Sequence, residues 1–251
     1  MGRNAAGESD LRVLGCPNEG NYNLTPISDN PDRKAILGVL MSNSKLAKLL
    51  TDTLPSGLPT LFNPWRDHCT DDEPCNGPDA KLARLAAHLD CEPEFVLCGE
   101  APSYRGCRHS GIAFTSECLL LDGRIPRISP MSHRLTSGAN PYSEPSATIV
   151  WKALYDLGIE KRTILWNALQ MHPHEPGNEQ SNRTPKSSEI KIGKPALQML
   201  VDEFPSAKVV AVGKSAERLL KSMGVPATPV RHPAYGGATE FKQGLERLVS
   251  G

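Results

Sequence analysis

The chain has no excess of charge of either sign. Among 251 residues, 28 Lys and Arg balance 28 Asp and Glu. Net charge therefore gives no case for or against a nucleic-acid partner, and only a local basic patch could supply one. Long apolar runs are missing too: nothing approaches the roughly eighteen residues that a membrane span requires. The stretch Met1-Gly2-Arg3-Asn4 lacks the apolar segment of a secretory signal, and Ala6 stands where myristoylation favours Ser or Thr. The expectation is a soluble, cytoplasmic, monomeric protein without membrane contact.

Paired cysteines are also lacking. The seven are Cys16, Cys69, Cys75, Cys91, Cys98, Cys107 and Cys118, an odd number with no C-x-x-C among them. That argues against a disulfide framework and against a ribbon-type zinc site. Cys69, Cys75 and nearby His68 are the remaining candidates for a metal, but scattered thiols are more often ordinary residues, so no metal and no cofactor are expected. Cys98, at the end of an apolar run, reads as a small core residue.

What is present is a rhythm. Residues 1–40 are rich in Gly, Asn, Asp, Pro and Ser with little periodicity, which suggests a loosely ordered extension. Residues 41–90 read as a helical and loop region, with helices predicted over 44–54 and 79–89 and a proline-rich loop from Pro55 to Pro78 between them. From residue 94 onward strands and helices alternate. Strands are predicted at Phe95-Val96-Leu97-Cys98, 163–166, 209–212 and just before Arg231, and helices over 116–121, 146–157, 187–203, 215–223 and 239–248. Residues 102–115, 122–144 and 172–186 read as loops. Apolar strands alternating with helices imply an α/β domain with a parallel sheet covered on both faces, so that 41–251 forms one domain.

Ligands in such sheets bind beyond the carboxyl ends of the strands. Three strand ends here deliver polar groups: Gly99-Glu100-Ala101-Pro102, then Asn167, then His232-Pro233-Ala234. A carboxylate, a carboxamide and an imidazole are thus delivered to one edge. Each has a plainer reading as well: Asn167 as a cap, His232 as a structural hydrogen-bonding group, and Phe114 as a core anchor.

These motifs, in this order and spacing, resemble those of the uracil-DNA glycosylase superfamily. Gly111-Ile112-Ala113-Phe114-Thr115-Ser116 looks like its base-stacking element. The stretch from Lys208 to Glu217 is similar to the strand and helix preceding the histidine motif of the iron–sulfur, thermophile-type members. The resemblance runs from about residue 94 to the end. It implies a three-layer αβα sandwich with a four-stranded parallel central sheet, and a DNA glycosylase that removes uracil to start base excision repair, with hypoxanthine and xanthine as further candidate bases. Two cysteines that hold the cluster in those relatives match Met171 and Gly193 here. The resemblance therefore implies a cluster-free member.

It also implies roles. His232 would donate a hydrogen bond to uracil O2 as negative charge gathers there, and Asn167 would pair with N3–H and O4. Phe114 would stack on the base. Backbone groups near Gly99 and Glu100 would complete the pocket. Ala101 stands where the best-known members place their water activator, so that role is open, with Glu100 the nearest carboxylate. Ser103 matches a Tyr that excludes the thymine methyl, and Tyr104 comes one residue late; the smaller Ser103 would widen the pocket. Arg105, Arg108 and His109 are candidates for phosphate contact, and Tyr235-Gly236-Gly237 for the segment entering the minor groove. His172, His174 and Arg183 read equally as solvated loop or phosphate contacts. Two other classes remain open: a non-catalytic protein that binds damaged bases, and a hydrolase or transferase acting on free nucleosides.

Overall fold

The computed structural model describes residues 43–251, and the expected extension over 1–40 lies outside them. A first helix, α1, covers 43–52. The remaining helices are α2 (Pro78–His88), the short α3 (Cys107–Ser110) and α4 (Glu117–Leu121), then α5 (Pro145–Asp156), α6 (Ser187–Glu203), α7 (Gly213–Met223) and α8 (Ala238–Ser250). The strands are β1 (Leu61–Phe62), β2 (Phe95–Gly99), β3 (Thr163–Asn167), β4 (His172–Pro173), β5 (Lys208–Val212) and β6 (Thr228–Val230).

Strands β3, β2, β5 and β6 form, in that order, a four-stranded parallel sheet. Every residue of β2 and β3 is buried, as a strand enclosed on both faces requires. Successive side chains leave a strand on opposite faces. Phe95 and Leu97 thus join Leu165, Val210 and Val212 against α4, α5 and α8. Val96 and Cys98 join Ile164, Trp166 and Ala211 against α1, α2, α6 and α7. The result is the expected three-layer αβα sandwich.

The loops carry more structure than their composition suggested. The 55–78 segment contains β1, which pairs antiparallel with β4, and Trp65 stacks on Trp166 with ring centroids 6.2 Å apart. The 102–115 segment contains α3. The long loop before α5 is pinned by the fully buried Glu117, whose carboxylate accepts from Arg134 Nε (2.7 Å), Thr136 Oγ1 (2.7 Å) and the Leu135 and Tyr142 backbone N–H groups (both 2.8 Å). The pinned loop delivers the chain to Pro145 at the first turn of α5, where a missing N–H is harmless.

Candidate active site

Parallel register brings the first two strand-end motifs side by side, for Gly99 is the direct partner of Asn167. Gly99 has to be glycine. A Cβ there would stand 2.6 Å from Phe114 Cζ and 2.7 Å from Asn167 Oδ1, so the aromatic ring and the carboxamide close in on bare backbone. Phe114 is held at φ 49°, a left-handed conformation unusual for a bulky residue. Asn167 is only 5 % exposed. Its backbone carbonyl accepts from Gln170 Nε2 at 2.6 Å, but no described residue bonds its side-chain amide. It caps no helix, and its donor and acceptor are free for a ligand.

The third motif arrives one residue after β6. Gly213, at φ 88°, opens α7 and lets His232 approach: a Cβ on it would lie 2.9 Å from His232 Cβ. The Ala234 backbone N–H donates to His232 Nδ1 at 3.1 Å. Nδ1 is therefore the acceptor, and the proton of the neutral ring sits on Nε2. Burial, assisted by the neighbouring Arg231 charge, lowers the pKa of His232 below the ordinary histidine value. The site thus favours a neutral imidazole with one N–H to donate.

Phe114, Asn167 and His232 line a single cavity of about 350 Å³, together with Glu100, Ala101, Ser103 and the exposed Tyr235. Glu100 is half-buried; burial raises its pKa, against the opposing pull of the Ser215 hydroxyl and the Arg218 charge. Those two partners belong to α7, which places Glu100 on the His232 side of the cavity.

Sequence reasoning missed Glu144, Cys107, Ser146 and Asn182, which also line the cavity. In the sequence Glu144 reads only as the end of a loop. Its position directly before Pro145 marks a helix start, and nothing in that pattern points toward the sheet edge. Its carboxyl accepts from Ser146 Oγ at 2.7 Å, and burial raises its pKa against the influence of Ser146 and Ser103. Gly106 makes room for it, since a Cβ there would fall 1.8 Å from Glu144 Oε2.

Three of the expected contacts need correction. Tyr104 does not face the cavity. Its ring is 4 % exposed, and its hydroxyl bonds Asp71 and, at 3.1 Å, the Tyr142 hydroxyl. Arg108 is not available to phosphate. It is fully buried with its guanidinium 3.7 Å from the Phe62 ring centroid, donating to His172 Nδ1 at 3.1 Å and to Glu179. Gly237 is buried, and its closeness serves the protein itself, since a Cβ would meet the His232 carbonyl oxygen at 2.1 Å. The ambiguous loop residues settle in the same way. His109 and His174 are buried, and Arg183 makes a paired contact with Glu189 at 2.7 and 2.8 Å. Arg105, Tyr235 and Gly236 are exposed around the cavity motifs, and Tyr235 is 99 % exposed.

Two metal readings can be judged from donor chemistry. Cys69, Asp72 and His109 bring ligand atoms within 4.8 Å of one another. The Asp72 carboxylate, however, already accepts from His109 Nδ1 (2.8 Å), Asn76 Nδ2 (2.9 Å) and the buried Lys81 ammonium, and that ammonium would repel a cation. Where relatives place two cluster ligands, Met171 lies fully buried among apolar side chains. A Cβ on Gly193 would lie 2.2 Å from the Ala168 carbonyl oxygen, so no thiol-bearing side chain fits there as the backbone stands.

Comparison with known proteins bears on the family and the fold. The family model described as "Uracil DNA glycosylase superfamily" matches residues 87–248. Among solved structures, wild-type SMUG2 of Pedobacter heparinus superposes with a TM-score of 0.55 at 15 % sequence identity, covering 83 % of this chain and 95 % of that one. No curated protein matches in sequence.

Proposed function

Because the chain belongs to the uracil DNA glycosylase superfamily, we propose that it is a uracil-DNA glycosylase, a monomer acting on DNA in the cytoplasm and starting base excision repair. The observation that carries this reading is the shared cavity: an unpartnered carboxamide, an aromatic ring and a neutral imidazole with its N–H free, all at the carboxyl edge of the sheet. Among the described residues no helix is long and apolar enough to cross a membrane.

The chemistry follows from these groups. A base swung out of the helix stacks on Phe114, and Asn167 accepts from uracil N3–H while donating to O4. Cytosine presents the opposite pattern on that edge and is refused. As the bond between C1′ and N1 breaks, its electron pair moves onto the base, and His232 Nε2–H stabilises the charge at O2. A neutral donor suits this task, since it loses no proton to the departing anion. Water then adds to C1′, with Glu100 the candidate that positions it, and the proton the water gives up neutralises the departed uracil anion. Tyr235, fully exposed beside the cavity mouth, serves as the wedge that props the duplex open. Hypoxanthine and xanthine are further candidate bases, since a cavity of about 350 Å³ exceeds the needs of a pyrimidine.

The test is strand cleavage after alkali at a single uracil in a labelled oligonucleotide, with and without His232→Ala. Release that drops about 10²- to 10³-fold in the variant supports the reading and the role of His232. Undiminished release in the variant removes the His232 role. No release by either protein, on uracil or other deaminated bases, points instead to a protein that binds damaged bases without cleaving them.

A further inference from the structure

Ser103 and Glu144 both line the cavity, with Gly106 directly behind the Glu144 carboxyl. Gly106 leaves a space that the Glu144 carboxyl fills, for a Cβ there would overlap Glu144 Oε2 at 1.8 Å and stand 2.7 Å from Ser103 Oγ. The opening expected from the small Ser103 is thus closed by a side chain from a different part of the chain. Glu144 is the N-cap residue of α5, where a carboxylate suits the helix dipole, yet its side chain makes no capping bond to the helix backbone. Among the described residues no cation pairs with it, its carboxyl accepts from the Ser146 hydroxyl, and an apolar side chain would fill the space without the desolvation penalty.

The pose that follows from the proposed function leaves one edge of the base unassigned. His232 meets O2, Asn167 meets N3–H and O4, and N1 leads out to the sugar. Glu100 stands on the His232 side through Ser215. The C5 edge is assigned to the wall that carries Ser103, the position that the resemblance matches to a residue excluding the thymine methyl, and Glu144 lines the cavity beside it. We propose that Glu144 is the residue that determines specificity at C5, its carboxyl limiting the bulk that a flipped pyrimidine can carry there. The inference rests on the glycosylase reading for its pose, while the wall itself is a feature of the cavity. Glu144 excludes thymine by occupying the volume that a C5 methyl requires.

The experiment compares the wild-type protein with Glu144→Ala and Glu144→Gln on duplexes carrying one uracil or one thymine opposite guanine. Glu144→Ala should lower the uracil-to-thymine ratio of release rates by about tenfold or more, the usual worth of a single methyl in a fitted pocket. Glu144→Gln, equal in size and without charge, should keep the wild-type ratio. An unchanged ratio in Glu144→Ala overturns the proposal, as does a Gln variant that loses selectivity as fully as Ala, or a wild-type protein that releases thymine as readily as uracil. Binding to duplexes with non-cleavable 2′-fluoro deoxyuridine or 2′-fluoro thymidine provides the second readout. If no protein cleaves, the glycosylase reading fails. Discrimination in binding that vanishes only in Glu144→Ala still upholds the wall, and binding that never discriminates overturns it.

Discussion

The backbone N–H of Ala234 donates to His232 Nδ1 at 3.1 Å, so the turn that follows the histidine selects the tautomer that the site can use. With Nδ1 occupied and burial lowering the pKa, His232 is a neutral donor through Nε2 at physiological pH. The first prediction concerns pH. Activity limited by His232 should be flat as pH rises through the ordinary histidine value, because the active form is already deprotonated there, and should fall only under acid conditions. A rate profile that climbs with acidity toward pH 5 would show an imidazolium donor instead.

Gly99→Ala should damage the site more than the fold. The added Cβ meets Phe114 Cζ at 2.6 Å and Asn167 Oδ1 at 2.7 Å, so both groups proposed to hold the base must move. Displacement of reacting geometry by about 1 Å costs on the order of 10²-fold in rate. Single-turnover base release alongside a thermal melt checks this. A drop in rate with a melting temperature lowered by only a few degrees is expected.

Tyr235 stands 99 % exposed at φ 54°, a costly conformation for an aromatic residue with nothing to pack on. Tyr235→Ala should slow release from duplex DNA about tenfold or more while leaving single-stranded substrate nearly unaffected, since only a duplex must be opened. Equal losses on both substrates would place Tyr235 in the base pocket instead.

Stability should decline toward acid pH, from two directions. Burial, with the Arg108 and His174 charges, lowers His172 to about 3, and its ring is locked neutral by Arg108 at Nδ1 and the Ser181 carbonyl at Nε2. Its folded pKa lies below the unfolded value of 6.5, so its contribution is complete above pH 6.5 and is lost as pH falls toward 3. Burial alone would raise Glu117, but Arg134, Thr136 and two backbone N–H groups overcome it and bring the carboxyl to about 2. That contribution is present above pH 4.5 and is lost between 4.5 and 2. Each group adds a slope of at most roughly 1.4 kcal/mol per pH unit in its window. Urea unfolding from pH 7 to pH 3 should therefore show stability falling below pH 6.5, with a shallower fall in His172→Gln. A fall of equal steepness in that variant would assign the acid sensitivity elsewhere.

Much of this molecule is legible in the order of its residues. The apolar runs at Phe95, Thr163 and Val209 and the helical periodicities around them place the sandwich strands and the longer helices within a residue or two, because strands buried on both faces must be apolar throughout, whereas β1, β4 and α3 lie in segments read as loops. Gly99 and Asn167 could be found in the sequence because each stands immediately after such a run, His232 because it follows the short strand Thr228–Val230 by one residue, and parallel strands bring their ends to one edge. Tyr104 and Arg108 were misplaced for a matching reason. Proximity along an irregular loop does not say which way a side chain turns, and the polar partners Asp71, His172 and Glu179 that receive them come from segments far apart in the chain.

Local pattern and composition thus determined the layers, the strand ends and the Asn167 and His232 motifs that follow them, since each depends on periodicity or on closeness to a strand. Only the tertiary structure decided what closes the pocket. Glu144 reaches Ser103 and Gly106 across some forty residues that include α3 and α4, and Glu117 pins the long loop after α4 through Arg134, Thr136 and the Tyr142 backbone. Such a contact depends on how a long irregular segment satisfies its buried polar groups, and no periodicity records that.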